Sequence, residues 1–344
     1  MTRLSIAIIG AGFIADYHVN GLRAAGGAEV GVLVGRDRAR TEARAAALGV
    51  ARAETEVARV LADPGIDAVV IATPDATHRG LAIAALDAGK PVLVQKPMAM
   101  TAAEGREMLA ARARTGTPLS VSFMHRYFPE TLWLAAELRR GAFGAIHGLR
   151  IRNATPGADW SEWLYAPGAV AGGVVMQLGV HGIDLVQHLS GPIASVSAAI
   201  QTAMPHRTLR DGREIASTIE DAAQALYGFA AGFGASHEMS YTEIAGTDRF
   251  RLELVTDAGT IWLRTERGAA ALFAPGLTGR REWVRPDLVD EPLGAAHHRH
   301  WLQTVRTGAD DGTALAGLSA MVVAEAIYGS AASGQRIAVE ETSA

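Results

Sequence analysis

Leu4-Ser5-Ile6-Ala7-Ile8-Ile9 runs directly into Gly10-Ala11-Gly12-Phe13-Ile14-Ala15, and no other junction restricts the fold of this chain as much. A near-continuous apolar run without alternation fits a strand buried on both faces, as in a parallel sheet. After it, Gly10 allows a tight turn, Gly12 lets the backbone approach a ligand, and Ala15 lets a helix pack closely. The helical segment continues through Leu22 to a stop at Gly26-Gly27. Strand, small-residue turn and helix together form a dinucleotide fingerprint, with a pyrophosphate at the positive end of the helix. Gly10, Gly12, Phe13, Ile14 and Ala15 are therefore expected to hold the cofactor. The same apolar run following Arg3 also has the outline of a signal-peptide core, but its two glycines fall where a turn is required, so a signal peptide is not expected.

The second strand, Val30 to Val34, ends in Gly35-Arg36-Asp37. In this fold an acidic residue about 20 positions after the fingerprint binds the ribose 2′-hydroxyl of NAD. A glycine followed by arginine instead leaves room for a 2′-phosphate beside a guanidinium, which favours NADP(H) over NAD(H). The competing reading keeps NAD(H): Asp37 takes the ribose, while Arg36, Arg38, Arg40 and Arg44 solvate an outer helix. Asp67 to Ala72 is a further strand, opening into Thr73-Pro74 with His78 at the head of a helix. Val92-Leu93-Val94 then breaks into Gln95-Lys96-Pro97, a strand end that presents a lysine where the ladder cannot continue. Thr101 and Glu104 have capping-box spacing for a helix to Gly116, and Leu119 to Phe123 is the next strand. Alternating strands and helices define a doubly wound parallel sheet over residues 1–123. Ligands bind at the carboxyl ends of such strands, where Gly10, Thr73 and Lys96 all fall.

From residue 124 to 344 the pattern changes. A helix is expected over Pro129–Arg140. Alternating segments follow at Ile146–Asn153, Ser195–Gln201, Ala222–Phe229, Gly232–Ser240, Arg249–Thr256 and Thr260–Arg264, with a closing helix from Thr313. Turn residues between them predict antiparallel pairing, hence an α+β second domain whose sheet carries helices on one face. The other face must be polar or covered, and a homodimer or homotetramer built on it is expected. At 344 residues, two domains fit the usual limit of about 250 to 300 residues for a single core. A net charge of -4 argues against nucleic acid or an anionic membrane as partner, since both need a concentrated basic face. The chain has no cysteine, so neither a disulfide frame nor a thiolate metal site is available, and a cytoplasmic protein is expected.

Gly172-Gly173 leads into a segment where Gln177, His181 and Asp184 fall four and three residues apart, on one face if the segment is an α-helix. A polar stripe on an apolar helix is costly to bury without purpose and is expected to look into a cleft; the bland alternative is a satisfied core histidine. Trp160 and Trp163, with Tyr165, are aromatic faces suited to the C–H surfaces of sugars, or else anchors of a turn. Arg126 can meet an acidic substrate, a cofactor phosphate, or only a surface carboxylate. His297-His298-Arg299-His300 invites a metal reading, but no carboxylate or further histidine stands at ligand spacing, so no metal is expected.

Together these motifs resemble the Gfo/Idh/MocA oxidoreductase family, named for glucose-fructose oxidoreductase and inositol dehydrogenase. The resemblance rests on the glycine turn, Thr73-Pro74 with His78, Lys96-Pro97, Arg126, and Gly172-Gly173 through His181 to Asp184, and it spans nearly the whole chain. It implies a Rossmann domain, a second domain with a large, mainly antiparallel sheet, dimers or tetramers, and NAD(P)-dependent redox at a hydroxyl carbon of a sugar or cyclitol. By position Lys96 and His181 resemble the family's catalytic lysine and histidine, and Thr73, Pro74 and His78 the turn beside the nicotinamide. Gln95 stands where the family usually has Glu, and Gln177 where it usually has Asp.

The expected reaction is hydride transfer between nicotinamide and a secondary alcohol carbon. His181 would move the hydroxyl proton and Lys96 would polarise the oxygen. Gln95 is expected near the cofactor. Lys96, Arg126, Trp160, Trp163, Gln177, His181 and Asp184 are expected near a sugar-like substrate. Two alternatives are a silent sugar or NAD(P) sensor, motivated by the two glutamines, and an enzyme that uses nicotinamide transiently to cleave glycosides.

Overall fold

The apolar run after Arg3 is strand β1 (Leu4–Ile9), followed by α1 (Ile14–Ala25), β2 (Ala28–Val34), α2 (Arg38–Ala47), β3 (Ala53–Glu54), α3 (Val57–Leu61), β4 (Ala68–Ile71), α4 (His78–Asp87), β5 (Val92–Val94), α5 (Ala102–Thr115) and β6 (Leu119–Val121). The computed structural model describes residues 3–245, 249–263 and 270–342. The six strands form one sheet in the order β3-β2-β1-β4-β5-β6, with every pairing parallel. Ile6, Ala7, Ile8 and all of β4 are buried, as strands covered on both faces must be. The expected capping box is present: Thr101 Oγ1 accepts from Glu104 N at 3.2 Å. The Glu104 carboxylate reaches one residue further back and accepts from Met100 N at 3.0 Å. Gly116, with φ 67°, stops the helix.

The second unit begins with α6 (Pro129–Arg139) and β7 (Ile146–Ala154), then α7 (Val180–Ser190), β8 (Ile193–Gln201), a ribbon of β9 (His206–Thr208) and β10 (Glu214–Ala216), β11 (Ala222–Phe229), β12 (Gly234–Ser240), β13 (Phe250–Thr256), β14 (Thr260–Leu263) and β15 (Ala271–Phe273). Arg264, the expected end of β14, lies outside the described residues. A short α8 (Pro275–Thr278) precedes α9 (Ala295–Thr307), α10 (Thr313–Ser333) and β16 (Ile337–Ala338). The large sheet has the order β15-β14-β13-β7-β12-β11-β8-β16. Its pairings are antiparallel except β7 with β12, which is parallel.

Register explains why this sheet is one-sided. The row Val196, Tyr227, Ala235, Leu149, Leu254 and Ile261 is in cross-strand register and buried. One residue along, Leu226, Ser236, Arg150, Glu253 and Trp262 are also in register and turn the other way. Leu226 is 62% exposed. Around it Arg150 pairs with Glu253 at 3.1 Å, Arg152 with Glu238 at 3.4 Å, and the Arg251 guanidinium lies 4.1 Å from the centre of the Trp262 ring. The open face is thus a charged and aromatic surface, as the strand alternation predicts.

The chain leaves the first unit at Tyr127 and returns to it for Glu291–Leu318 before the second unit resumes at Ser319. A single boundary at 123/124 assigns that returning segment to the second domain. Its physical tie to the first unit is α9, whose Trp301 and Leu302 are 1% exposed and complete a core with Ile6, Leu22 and Leu33. One helix, Thr313–Ser333, is long and apolar enough by length and composition to cross a membrane; 61% of its apolar window is buried in the fold.

Candidate active site

At the end of β1 the chain turns through Gly10 with φ 118°. A Cβ there would lie 2.5 Å from the Ala72 carbonyl carbon, so both sterics and dihedral require glycine. Gly12 is exposed, and a Cβ on it would meet nothing within 4 Å. No side chain caps α1. In its first turn Ala15 N donates to Gly12 O and Asp16 N to Phe13 O, each at 3.2 Å, and the positive end of the helix lies beside the open space at Gly12, where a pyrophosphate fits. Ala15 is buried, whereas Phe13 is 58% exposed.

Gly35 follows β2 and donates from its amide to Glu54 O at 3.0 Å. Arg36 is exposed at this strand end. Its neighbours are otherwise engaged: the Asp37 carboxylate caps α2 by accepting from Arg40 N at 2.8 Å, Arg38 pairs with Glu54 at 3.0 Å, and Arg44 pairs with Asp16.

Thr73 and Pro74 lead through a 3-10 turn, Asp75–Thr77, into α4. His78 has no exposed surface; its Nε2 lies 2.8 Å from Thr73 O and its Nδ1 2.9 Å from Pro97 O. One ring thus ties the turn after β4 to the segment after β5. Lys96 is half-buried there, and its peptide to Pro97 is cis. The glycine turn, Thr73-Pro74 and Lys96 therefore share the carboxyl edge of the sheet, at β1, β4 and β5. Arg126, in the turn Met124–Tyr127, is half-buried with its guanidinium 5.7 Å from the centre of the Phe123 ring.

Gln95 is 8% exposed, with Nε2 at 2.7 Å from His18 Nε2 and 3.0 Å from Ser122 Oγ. His18 Nδ1 meets His298 Nε2 at 2.9 Å, and His298 Nδ1 lies 2.8 Å from Gly294 O. Tyr17 OH meets His297 Nδ1 at 2.9 Å, and Tyr127 stacks on the His297 ring. Burial holds these rings neutral: His298 is pushed down to about 4, and His18 and His297 fall well below the usual imidazole range, with neighbouring histidines adding to the effect. His297 and His298 are thus part of the first unit's interior, joined to α1 across 280 residues of sequence, while Arg299 and His300 are exposed.

In the second unit the polar stripe takes a different form from the single α-helix its spacing implies. Val175–Gly179 is a π-helical turn, and α7 begins only at Val180. The wider i→i+5 turn rotates Gln177 about the axis relative to His181, whereas His181 and Asp184 keep α-helical spacing. Gln177 is 6%, His181 5% and Asp184 1% exposed.

Glu220 anchors this segment. Its carboxylate accepts from Gly173 N at 3.0 Å, Val175 N at 3.1 Å and Tyr328 OH at 2.7 Å, while Val174 N donates to Glu220 O at 2.9 Å. A carboxylate at the positive end of a helix, accepting its orphan amides, is a remote cap. The sequence signal for it was Gly172-Gly173, since adjacent glycines before a helix announce close approach by something. Nothing in the spacing says that Glu220 is the partner.

Trp163 is half-buried in the turn Glu162–Tyr165, and Trp160 is 49% exposed. Tyr165, by contrast, is an anchor. Its OH accepts from Ala158 N at 2.7 Å, and its ring lies under the Arg207 guanidinium at 5.2 Å. Arg207 in turn pairs with buried Asp221 at 2.9 Å and donates to Pro156 O and Tyr241 O. The loop bearing the two tryptophans is therefore pinned from below.

Residues 4–123 match the oxidoreductase family with an NAD-binding Rossmann fold, and residues 132–262 match the GFO/IDH/MocA C-terminal domain. The inositol 2-dehydrogenase of Mycolicibacterium smegmatis is 30% identical, over 99% of this chain and 97% of that protein. The D-apiose dehydrogenase of Paraburkholderia graminis is 28% identical, over 99% and 91%. Among solved structures, an oxidoreductase domain protein from Kribbella flavida superposes with a TM-score of 0.90 at 26% identity, covering 99% of this chain and 100% of that one. Levoglucosan dehydrogenase in complex with NADH and L-sorbose gives the same TM-score at 21% identity, covering 99% and 100%, and so shares the fold.

Proposed function

The chain belongs to the Gfo/Idh/MocA family of oxidoreductases, and from that premise we propose that it transfers hydride between a nicotinamide dinucleotide and a secondary hydroxyl carbon of a sugar, sugar acid or cyclitol. The observation that carries this reading is the shared sheet edge, where an uncapped helix start, the His78-tied turn and half-buried Lys96 follow neighbouring strands. Gly10, Gly12, Phe13, Ile14 and Ala15 hold the pyrophosphate; Thr73, Pro74 and His78 shape the nicotinamide end. When bound, the nicotinamide supplies the hydride acceptor or donor. Lys96 donates to the substrate oxygen and stabilises the negative charge that develops on it, and His181 exchanges the hydroxyl proton. Arg126, Trp160, Trp163, Gln177 and Asp184 contact the substrate. With Gln95 and Gln177 in place of two carboxylates, the surroundings favour a substrate that brings its own negative charge, a sugar acid.

A screen of sugars, sugar acids and inositols with NAD and NADP in parallel, read at the nicotinamide absorbance, tests the reading. Stoichiometric absorbance change with a hydroxyl substrate supports it. Free sugar released without net absorbance change would instead mean glycoside cleavage, and ligand binding without turnover would mean a sensor.

The cofactor preference in this proposal is NADP(H), because Gly35 offers no carboxylate, the Asp37 carboxylate already caps α2, and Arg36 stands exposed beside them. Arg36→Ala is expected to raise KM for NADP by about tenfold while changing that for NAD less than twofold, the loss of one charge-assisted contact. Equal effects on both cofactors would remove Arg36 from the 2′-phosphate.

The open face of the large sheet is proposed as the contact between copies in a homodimer or homotetramer. It carries a broad depression of about 750 Å³ bordered by Arg150, Arg152, Leu226, Glu238, Arg251 and Glu253. Alternating charges of both signs around an exposed leucine suit a face meeting its own copy. Leu226→Glu is expected to weaken assembly at least about tenfold, read by light scattering across a dilution series; an unchanged mass at every dilution would move the interface elsewhere. The proposed setting is the cytoplasm, in keeping with a chain that has no cysteine.

A further inference from the structure

We propose that Gln95 is a positioning residue, its carboxamide forming the donor end of a one-directional, uncharged hydrogen-bond chain that runs from the Lys96 strand end through His18 and His298 to Gly294 O. The chain lies wholly within the first unit and joins segments 77 and 280 residues apart in sequence.

Its direction follows from its last member. A backbone carbonyl can only accept, so His298 Nδ1, 2.8 Å from Gly294 O, carries a proton. A neutral His298 then has a lone pair at Nε2, and His18 must donate to it from Nδ1. This leaves the lone pair of His18 at Nε2, which needs a donor, and the Gln95 amide supplies one at 2.7 Å. The second amide hydrogen goes to Ser122 Oγ at 3.0 Å. With the amide flipped, every bond must reverse, and His298 would point a lone pair at the Gly294 carbonyl or carry a charge. Burial disfavours that charge in both rings.

Among the described residues, the other titratable groups in ring contact with the two rings are Tyr17, with ring centres 5.3 Å from both His18 and His298, and His297, 5.0 Å from His298, with Tyr127 stacked on His297 and His300 against Tyr127. These phenols and imidazoles offer no negative charge to balance an imidazolium. The position before Lys96 is therefore held neutral.

A carboxylate at 95 cannot play this part, because it has no hydrogen to donate. It needs one further proton, either on His18 as an imidazolium or on the carboxyl itself. At pH values above the release of that proton, a negative charge stands next to Lys96 and holds its ammonium form to higher pH.

Two measurements test the proposal. In the intact wild-type protein with ¹⁵N-labelled histidine, long-range ¹H–¹⁵N spectra should show His18 and His298 as neutral Nδ1–H tautomers from about pH 6 to about pH 9. An Nε2–H tautomer or an imidazolium at His18 would overturn the chain's direction. This arm requires neither turnover nor a variant that folds. The second arm rests on the proposed function: in Gln95→Glu, the apparent pKa of the Lys96-governed limb of kcat/KM should rise by about one unit, a tenfold change in rate on that limb. A profile superimposable on wild type would reduce Gln95 to packing. If the substrate screen finds no reaction, the function fails while the tautomers still decide the chain.

Discussion

Lys96→Met is expected to lower kcat by roughly three orders of magnitude while leaving nicotinamide binding within about twofold of wild type. Methionine keeps the apolar stem of lysine and deletes only the ammonium group, so the half-buried site at the end of β5 stays filled. On the proposed reaction, what would disappear is the donor to an oxygen whose negative charge grows in the transition state. Removing a single preorganised donor of that kind costs about 10² to 10³ in kcat. Cofactor binding is separable because, in the proposed site, the pyrophosphate would meet the start of α1, which no side chain caps, and not Lys96. Stopped-flow absorbance measures the chemical step, and fluorescence titration with reduced cofactor measures binding. A variant within tenfold of wild-type kcat would show that Lys96 does not polarise the reacting oxygen.

Gly173→Ala is expected to cost at least about 4 kcal/mol of stability, the range reached when a backbone clash cannot relax. An added Cβ would lie 2.8 Å from Glu220 Oε2 and 2.9 Å from the Glu220 carbonyl carbon, with the carbonyl oxygen nearer still. These atoms are the cap: the same glutamate receives Gly173 N, Val175 N and the Tyr328 hydroxyl. Moving it away therefore exposes the helix amides as well as relieving the clash. Urea unfolding measures the cost. Gly80→Ala provides the contrast: Gly80 lies within α4, and an added Cβ meets nothing within 4 Å. That change should be neutral or stabilising by up to about 1 kcal/mol. Equal stabilities for the two variants would refute the close-approach account of Gly173.

Much of this architecture was legible because local rules and tertiary needs agree. The βα units read correctly from apolar runs and stops, since a strand buried on both faces has no alternative pattern to adopt. The large sheet read from alternation, because one face is buried and the other wet. Two features could not be read. The π-turn at Val175–Gly179 leaves the four-and-three spacing of Gln177, His181 and Asp184 unchanged, so the sequence looks like a plain α-helix. Glu220 and His18 act through partners between 45 and 280 residues away, and no periodicity links them. Gln95 shows the limit most clearly. Its departure from the usual family residue was visible, but its meaning depends on a carbonyl at Gly294 that fixes which way the protons point.

The return of α9 to the first unit bears on how the chain must fold as it is synthesised. Trp301 and Leu302 belong to the same core as Ile6, Leu22 and Leu33, yet the ribosome makes them almost 300 residues later. Domains usually fold as units in order of emergence, but here the N-terminal unit emerges with one wall of its interior missing. His18 and the adjoining apolar surface of α1 stay open while the entire middle of the chain, including the eight-stranded sheet's central strands, is still being made. The two units are thus interleaved in time as well as in sequence: the first to begin cannot close until the second is nearly complete.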